Sequence, residues 1–269
     1  MRMEFKDILV HIDSTPQCAK RVELAIHLAR RHDAHLSGLF AIHQYAPRRE
    51  SRKKQAIAAG EAFREAAAKE GVAVDWILAD REAPTVDMAE IINHYAHLRD
   101  LVIVGQSAPE RRREAPPADL PQRVVFGSGR PVLIVPSAGT FTTVGSRSIV
   151  AWRGGRASAR ALNDSLPLLK TSQKIYALTI KTSDDLFPHP TADSDICSHL
   201  ERHGLSCVGK EISAADIPVA NILMNFAWEK GCDLLVVGVH AQAIGEKLLL
   251  GPVGRQLLKD MTLPVLMSH

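Results

Sequence analysis

The chain has 269 residues, 46% of them apolar and 23% charged, with a formal net charge of +3 at neutral pH. Such a balance gives enough apolar material for one large core or two smaller ones. It is too even to supply the concentrated basic face that nucleic acid demands, and no apolar run approaches the roughly 18 residues of a membrane span.

In chain order, the opening MRMEFKDILVHID lacks the charged-then-apolar pattern of an export signal. Ile8–Ile12 reads as a first strand, the amphipathic stretch Arg21 to Arg30 as a helix, and Leu36–Ile42 as a second strand. APRRESRKKQAIAAGEAFREAAAKEG then reads as a long polar helix, followed by strands at Val72–Leu78, Leu101–Val104 and Val132–Val135. Met88 to His97 is amphipathic at helical spacing, and PSAGTFTTVGS, from Pro136 to Ser146, is small and polar, as a linker should be. A second series of strands follows at Ile149–Trp152, Ile175–Ile180, Cys207–Ile212, Leu234–Val237 and Val265–Met267. Short, nearly continuous apolar runs alternating with helices imply parallel sheets covered on both faces.

The two series are copies. DLVIVG at Asp100 recurs as DLLVVG at Asp233, and RPVLIVP recurs as LPVLMSH; the offsets 233 − 100 and 264 − 131 are both 133. ILVHIDST lies over SIVAWRGG at an offset of 140 (153 − 13), so the second copy is about seven residues shorter between its first and fourth strands. The deficit is expected in the long polar helix, whose counterpart falls near Thr191 to Gly204. The fold expected is therefore α/β: two tandem, doubly wound domains of five parallel strands, residues 1–139 and 146–269. Cys18, Cys197, Cys207 and Cys232 form no C-x-x-C pair. They are expected to be reduced thiols, and the protein cytoplasmic.

KDILVHIDST opening one half, SIVAWRGGRASARAL opening the other and LLVVGVHAQAIGEKLLLGPVGRQLLKDMTLPVLMS closing the second resemble a tandem member of the universal stress protein family. The resemblance implies a Rossmann-like fold of the adenine-nucleotide alpha-hydrolase kind and a non-enzymatic stress-response or regulatory role. ATP-binding members are similar in two features. An aspartate ends the first strand, and Gly, two residues, Gly, nine residues, then Gly-Ser or Gly-Thr follows the fourth. Backbone N–H groups in such a loop form an anion nest, and glycine lets the chain approach a phosphate closely. Carried onto this chain, the implied binding positions are Asp13, Ile42 and Gly105 in the first half. In the second they are Ala151, Gly238, Val239, His240, Ala241, Gly251, Pro252 and Val253. The implied ligand is ATP, with Mg accompanying it.

Both halves depart from the pattern. In the second, Ala241 replaces a glycine, which would be strained at positive φ, and Pro252 removes both an N–H and a hydroxyl. Arg153 stands where the first-strand aspartate belongs. The first half keeps Asp13 but has Ala108, Ala118 and Asp119 at the remaining loop markers, beside Arg111, Arg112 and Arg113. Three readings follow: a regulatory protein with eroded nucleotide motifs, an ATP-dependent switch with slow hydrolysis, or a carrier of another small ligand. Arg153-Gly154-Gly155-Arg156 reads either as a tight strand-to-helix turn or as an anion site. His199 with His203, and His94 with His97, share helix faces but lack a third ligand, so no metal is expected. There is no Gly-x-Ser-x-Gly elbow and no Walker lysine, and no catalytic residue is assigned.

Family members are similar in pairing through their final strands, so Val132–Val135 and Val265–Met267 are expected to pair within the chain, with a homodimer of chains as a further expectation. Spin labels introduced at Leu133 and Leu266 should report the short separation of neighbouring strands. A long, broad distance distribution would refute the pairing.

Overall fold

The computed structural model describes residues 4–42, 49–80, 86–107, 116–182, 195–244 and 247–269. Two compact units emerge, Met1–Thr142 and Thr143–His269. In the first, the strands are β1 (Asp7–Ile12), β2 (His35–Ile42), β3 (Val74–Asp80), β4 (Leu101–Gly105) and β5 (Val132–Val135), in the spatial order β3-β2-β1-β4-β5 and all parallel. The helices α1 (Cys18–His32), α2 (Arg49–Lys69), α3 (Met88–Ala96) and α4 (Leu120–Gly127) connect them. The expected strands are all present, although the third begins two residues later than the apolar pattern indicates.

The second unit repeats the plan with β6 (Arg147–Ala151), α5 (Gly155–Leu169), β7 (Lys174–Lys181), α6 (Cys197–Arg202), β8 (Cys207–Ser213), α7 (Val219–Lys230) and β9 (Leu234–Gly238). Its order is β12-β9-β6-β7-β8, where β12 is Val265–Ser268. Between β9 and the last helix, α8 (Pro252–Asp260), the sequence is expected to form a loop. It instead forms an antiparallel hairpin, β10 (Ala241–Ile244) with β11 (Lys247–Leu250). Among the described residues no helix is long and apolar enough to cross a membrane.

Central strands are apolar on both faces because helices cover both: Ile8, Leu9, Val10, Leu101, Val102, Ile103 and their counterparts Ile149, Leu234, Leu235 and Val236 are fully buried. One aspartate in each unit fixes the register at the amino ends of these strands. Asp100 Oδ2 accepts the backbone N–H groups of Lys6 (2.7 Å) and Asp7 (3.0 Å), while its own N–H donates to the Asp7 carbonyl (2.8 Å). Asp233, its repeat, accepts from the N–H groups of Gly145 (3.1 Å), Ser146 (3.0 Å) and Arg147 (2.9 Å), and donates to the Arg147 carbonyl (2.9 Å). The conserved register of DLVIVG and DLLVVG within this chain thus has a cause: each aspartate gathers the entry to the neighbouring central strand.

One expectation is overturned. Cys197 and Cys207 are joined as a disulfide, with Cα atoms 5.2 Å apart, rather than standing as separate thiols. The connection from α6 to β8 is short and turns back on itself at Gly204, which adopts a positive φ of 76°, so the first residue of the helix returns beside the first residue of the strand. Cys18 and Cys232 are free.

Charge-assisted hydrogen bonds to backbone N–H groups contribute about 1.5–3 kcal/mol each. Asp233→Ala should therefore lower the stability of the second unit by about 2–4 kcal/mol, with Asp233→Asn recovering part of the loss through its one remaining acceptor. Urea denaturation monitored in that unit tests this, and a loss below about 0.5 kcal/mol would contradict the assigned role.

Candidate functional site

In open parallel sheets, ligands enter the crevice beyond the carboxyl ends of the strands, where the strand order reverses. In the first unit that crevice lies between β1 and β4, and its occupant is a side chain. Arg21, 2% exposed, sits on the inward face of α1 with Cys18, Leu24, Ala25 and Leu28. Its Nη2 donates to Asp13 Oδ2 (2.7 Å) and its Nε to the carbonyl of His11 (2.8 Å). Its Nη1 lies over Gly105, where any Cβ would collide with it. The cavity left beside these groups is about 20 Å³, close to the size of one water.

Asp13 is therefore already satisfied. Thr15 donates to its Oδ1 through both the backbone N–H (2.8 Å) and the hydroxyl. Burial alone would raise its pKa, but Arg21, His11 and the two Thr15 hydrogen bonds outweigh that and bring it down to about 2. His11 is buried, and its Nδ1 lies 3.9 Å from Asp13 Oδ2 without a hydrogen bond. Burial, together with the charge of Arg21 and against the pull of Asp13, lowers its pKa to about 4. Of the other first-half positions, Gly105 lines the small cavity, while Ile42, at the end of β2, is fully buried and is not among its lining residues. Asp119 is the N-cap of α4 but makes no side-chain cap. Ala108 and Arg111, Arg112 and Arg113 lie outside the described residues.

The second unit is open. A cavity of about 260 Å³ lies at the carboxyl ends of β6, β7 and β9. Ala151, Trp152 and Arg153 form one side, Leu178, Ile180 and Thr182 of β7 and its continuation another, and Val237 to His240 a third. Val219 and Leu223 of α7 and Gly251 to Gly254 at the start of α8 close it. Seven of the eight second-half positions named from the sequence thus converge. The eighth, Ala241, sits in β10 and does not line the cavity.

The glycines there have different causes. A Cβ on Gly238 would collide with the Ala157 carbonyl and the Ser158 nitrogen, so this residue is needed for α5 to pack against β9, whatever binds. Gly251 has an ordinary φ of −57° and open space around the position of a Cβ, so neither backbone nor packing requires glycine. Gly154 and Gly155 both adopt left-handed φ, 72° and 78°, which favours the tight-turn account of that pair. Ala241 has no positive φ, so the strain expected of an alanine at that marker does not arise; pairing in the hairpin has changed the backbone. Pro252 does occupy the first turn of α8 and supplies no N–H there. His240 and Arg153 are exposed on the rim.

Sequence reasoning missed Arg21, and it missed the inner wall formed by Leu178, Ile180, Val219 and Leu223. A signal for Arg21 exists: it is a charge on the stripe Cys18, Arg21, Ala25, Leu28, at helical spacing among apolar residues. Among the described residues no three His, Cys, Asp or Glu side chains could together hold a metal ion. The rings of His199 and His203 lie 4.8 Å apart, and His97 lies against the Gly127 carbonyl.

Residues 155–269 match the model of the universal stress protein family, which bears out the resemblance read from the sequence over most of the second unit. Among solved structures, a universal stress protein from Archaeoglobus fulgidus DSM 4304 superposes with a TM-score of 0.73 at 14% identity, covering 97% of this chain and 97% of that one. A protein of unknown function from Pseudomonas aeruginosa PAO1 gives 0.61 at 16% identity, covering 98% and 92%. These likenesses establish the α/β fold with its mostly parallel sheet. Comparison with curated proteins gives no match.

Because His11 has a lower pKa in the folded chain than the 6.5 of the free side chain, the unfolded chain takes up its proton first. Stability is lost as pH falls from about 6.5 to about 4. Asp13 contributes its loss only at lower pH, between 3.8 and about 2. The His11 share is at most about 3 kcal/mol. His32, also held down to about 4 by burial first and by Arg31, adds to the same window. Urea unfolding across this range should show a shallower pH dependence for His11→Gln. An unchanged slope would contradict the buried neutral imidazole.

Proposed function

We propose that this chain is a non-enzymatic regulatory protein of the universal stress type in which one crevice of two is competent to bind. In the first unit the crevice between β1 and β4 is filled by its own Arg21–Asp13 pair, and in the second the corresponding crevice receives a small ligand. The observation carrying this reading is the contrast, at the carboxyl ends of the central strands, between a cavity of about 20 Å³ holding a buried ion pair and one of about 260 Å³ with open walls. The open one is lined by the residues in register with the family's nucleotide loop.

An adenine nucleotide, held mainly by its base and ribose, is the ligand best matched to this crevice. Leu178, Ile180, Val219 and Leu223 offer an apolar wall for a flat ring, and Thr182, Gln242 and His240 offer polar groups for its edge or its sugar. The phosphate end is poorer, since Pro252 supplies no N–H and the hairpin β10–β11 occupies the stretch expected as a loop. The described lining contains no carboxylate, the usual protein ligand for Mg, and its one imidazole, His240, stands exposed at the rim. Slow ATP hydrolysis therefore has less support than simple binding. A second reading, a carrier of another small apolar-bodied molecule, is favoured by the same inner wall. Self-association through the closing strands belongs to the proposal as the sequence expects it.

At roughly a hundred times its dissociation constant, a bound ligand stabilises a fold by about 2.7 kcal/mol, which corresponds to about 5–10 °C in Tm for a chain of this size. Adenosine, AMP and ATP should all raise the melting temperature, ATP equally with and without Mg, at one ligand per chain. Leu223→Trp, which fills the cavity, should abolish the effect. No shift with any adenine compound removes the nucleotide reading, and two ligands per chain remove the one-crevice reading. Native mass spectrometry of the freshly purified protein would reveal a different passenger.

A further inference from the structure

We propose that Cys197 and Cys207 form a reversible thiol–disulfide switch that holds the α6 layer onto the second unit, a modification site independent of what fills the crevice. The two units attach this layer by different means. In the first, α2 runs for 21 residues and packs through buried Ala56, Gly60, Phe63 and Ala67. Its aromatic anchor is Trp76 on β3: the Phe63 and Trp76 rings lie 6.0 Å apart, and Gly60 gives the indole room that a Cβ would take.

Strand register identifies what replaces that anchor. β1 aligns Asp7 with His35, and β6 aligns Arg147 with Lys174, so Gly38 and Ala177 occupy the same rung of their ladders. Gly38 pairs with Trp76, whereas Ala177 pairs with Gly209. The indole is therefore replaced by hydrogen. Two residues earlier, Val74 is replaced by Cys207, which pairs with Ile175. The described α-helix above spans six residues and buries Cys197 and Leu200, with Ile196 buried in the turn just before it. A helix of that length has little stability of its own, and tertiary contacts must supply it. Here the covalent bond stands in for aromatic packing.

Access and chemistry fit a bond that can be opened. Cys197 is buried, but Cys207 is half-exposed at the start of β8, the last strand in its unit's order. A glutathione thiolate can therefore attack the Cys207 sulfur, breaking the protein disulfide and releasing the Cys197 thiolate, which takes a proton. A second glutathione attacks the mixed disulfide, freeing Cys207 and leaving glutathione disulfide. Two electrons pass from two glutathione thiols to the cystine, and the reverse sequence closes it again. Cys18 and Cys232 do not compete. Burial raises the Cys18 thiol, and burial followed by the charge of Asp233 raises Cys232 to about 11, so both stay protonated and slow. Opening the bond removes a short closed loop from the constraints on the unfolded segment, and α6 and β8 should loosen while the first unit does not change.

The test uses the full chain equilibrated in buffers spanning reduced to oxidised glutathione, with free thiols trapped by a maleimide and located by mass spectrometry. Cys197 and Cys207 should pass together from labelled to protected within the range, while Cys18 and Cys232 stay unchanged. Hydrogen exchange of 197–213 should rise at least roughly tenfold on reduction, with β1 to β5 unaffected. The Cys197→Ser, Cys207→Ser double variant should exchange like the reduced form in every buffer. A bond that never forms, or one that persists at the most reducing ratio, overturns the switch. So does a reduced form that exchanges as slowly as the oxidised one.

Discussion

A carboxylate at the amino end of the fourth strand organises each unit. Asp100 and Asp233 collect two and three backbone N–H groups from the segment entering the neighbouring central strand, and return their own N–H to it. Buried parallel strands could slide by a residue with little change in apolar content, because both faces are covered and both read alike. A charged acceptor matched to specific N–H groups removes that freedom. With the register of β1–β4 and β6–β9 fixed at one end, the opposite, carboxyl ends are aligned as well, and the crevice between them has a defined floor. Stability is concentrated at one end of the sheet and variation at the other.

That separation lets the two copies diverge. In the first, an arginine on the inward stripe of α1 neutralises Asp13 and covers Gly105; its desolvation is compensated by an ion pair of 2.7 Å and a bond to the His11 carbonyl. In the second, Arg153 replaces the aspartate, stays at the rim, and leaves the wall apolar. Glycine at the end of β9 is retained because helix α5 presses against it, so its persistence is no evidence of phosphate binding. Gly251, with no internal cause, carries more information about a ligand than Gly238 does.

The outer layers diverge too. A long helix seated on Trp76 in one copy corresponds to a six-residue helix tied by a disulfide over Gly209 in the other. Loss of buried aromatic area in a small layer is offset by a covalent restraint, which makes this part of the second unit dependent on its chemical surroundings in a way the first is not.

Strand positions, the strand order that the two units share, the parallel topology and the convergence of Ala151, Gly238 to His240 and Gly251 to Val253 were readable from the sequence, because apolar periodicity and repeat offsets are local or one-dimensional signals. A shorter connection between the second and third strands of the second unit was equally readable from the seven-residue deficit, although residues 191–194 of the stretch expected to shorten lie outside the described residues. Three things needed the tertiary structure: the Arg21 plug, the folding of the supposed loop into β10–β11, and the Cys197–Cys207 bond. Each depends on side chains or strands meeting across a distance that spacing does not encode. Asp13 looks the same in a sequence whether it faces an open crevice or an arginine eight residues on, and only the direction of α1 across the sheet decides between them.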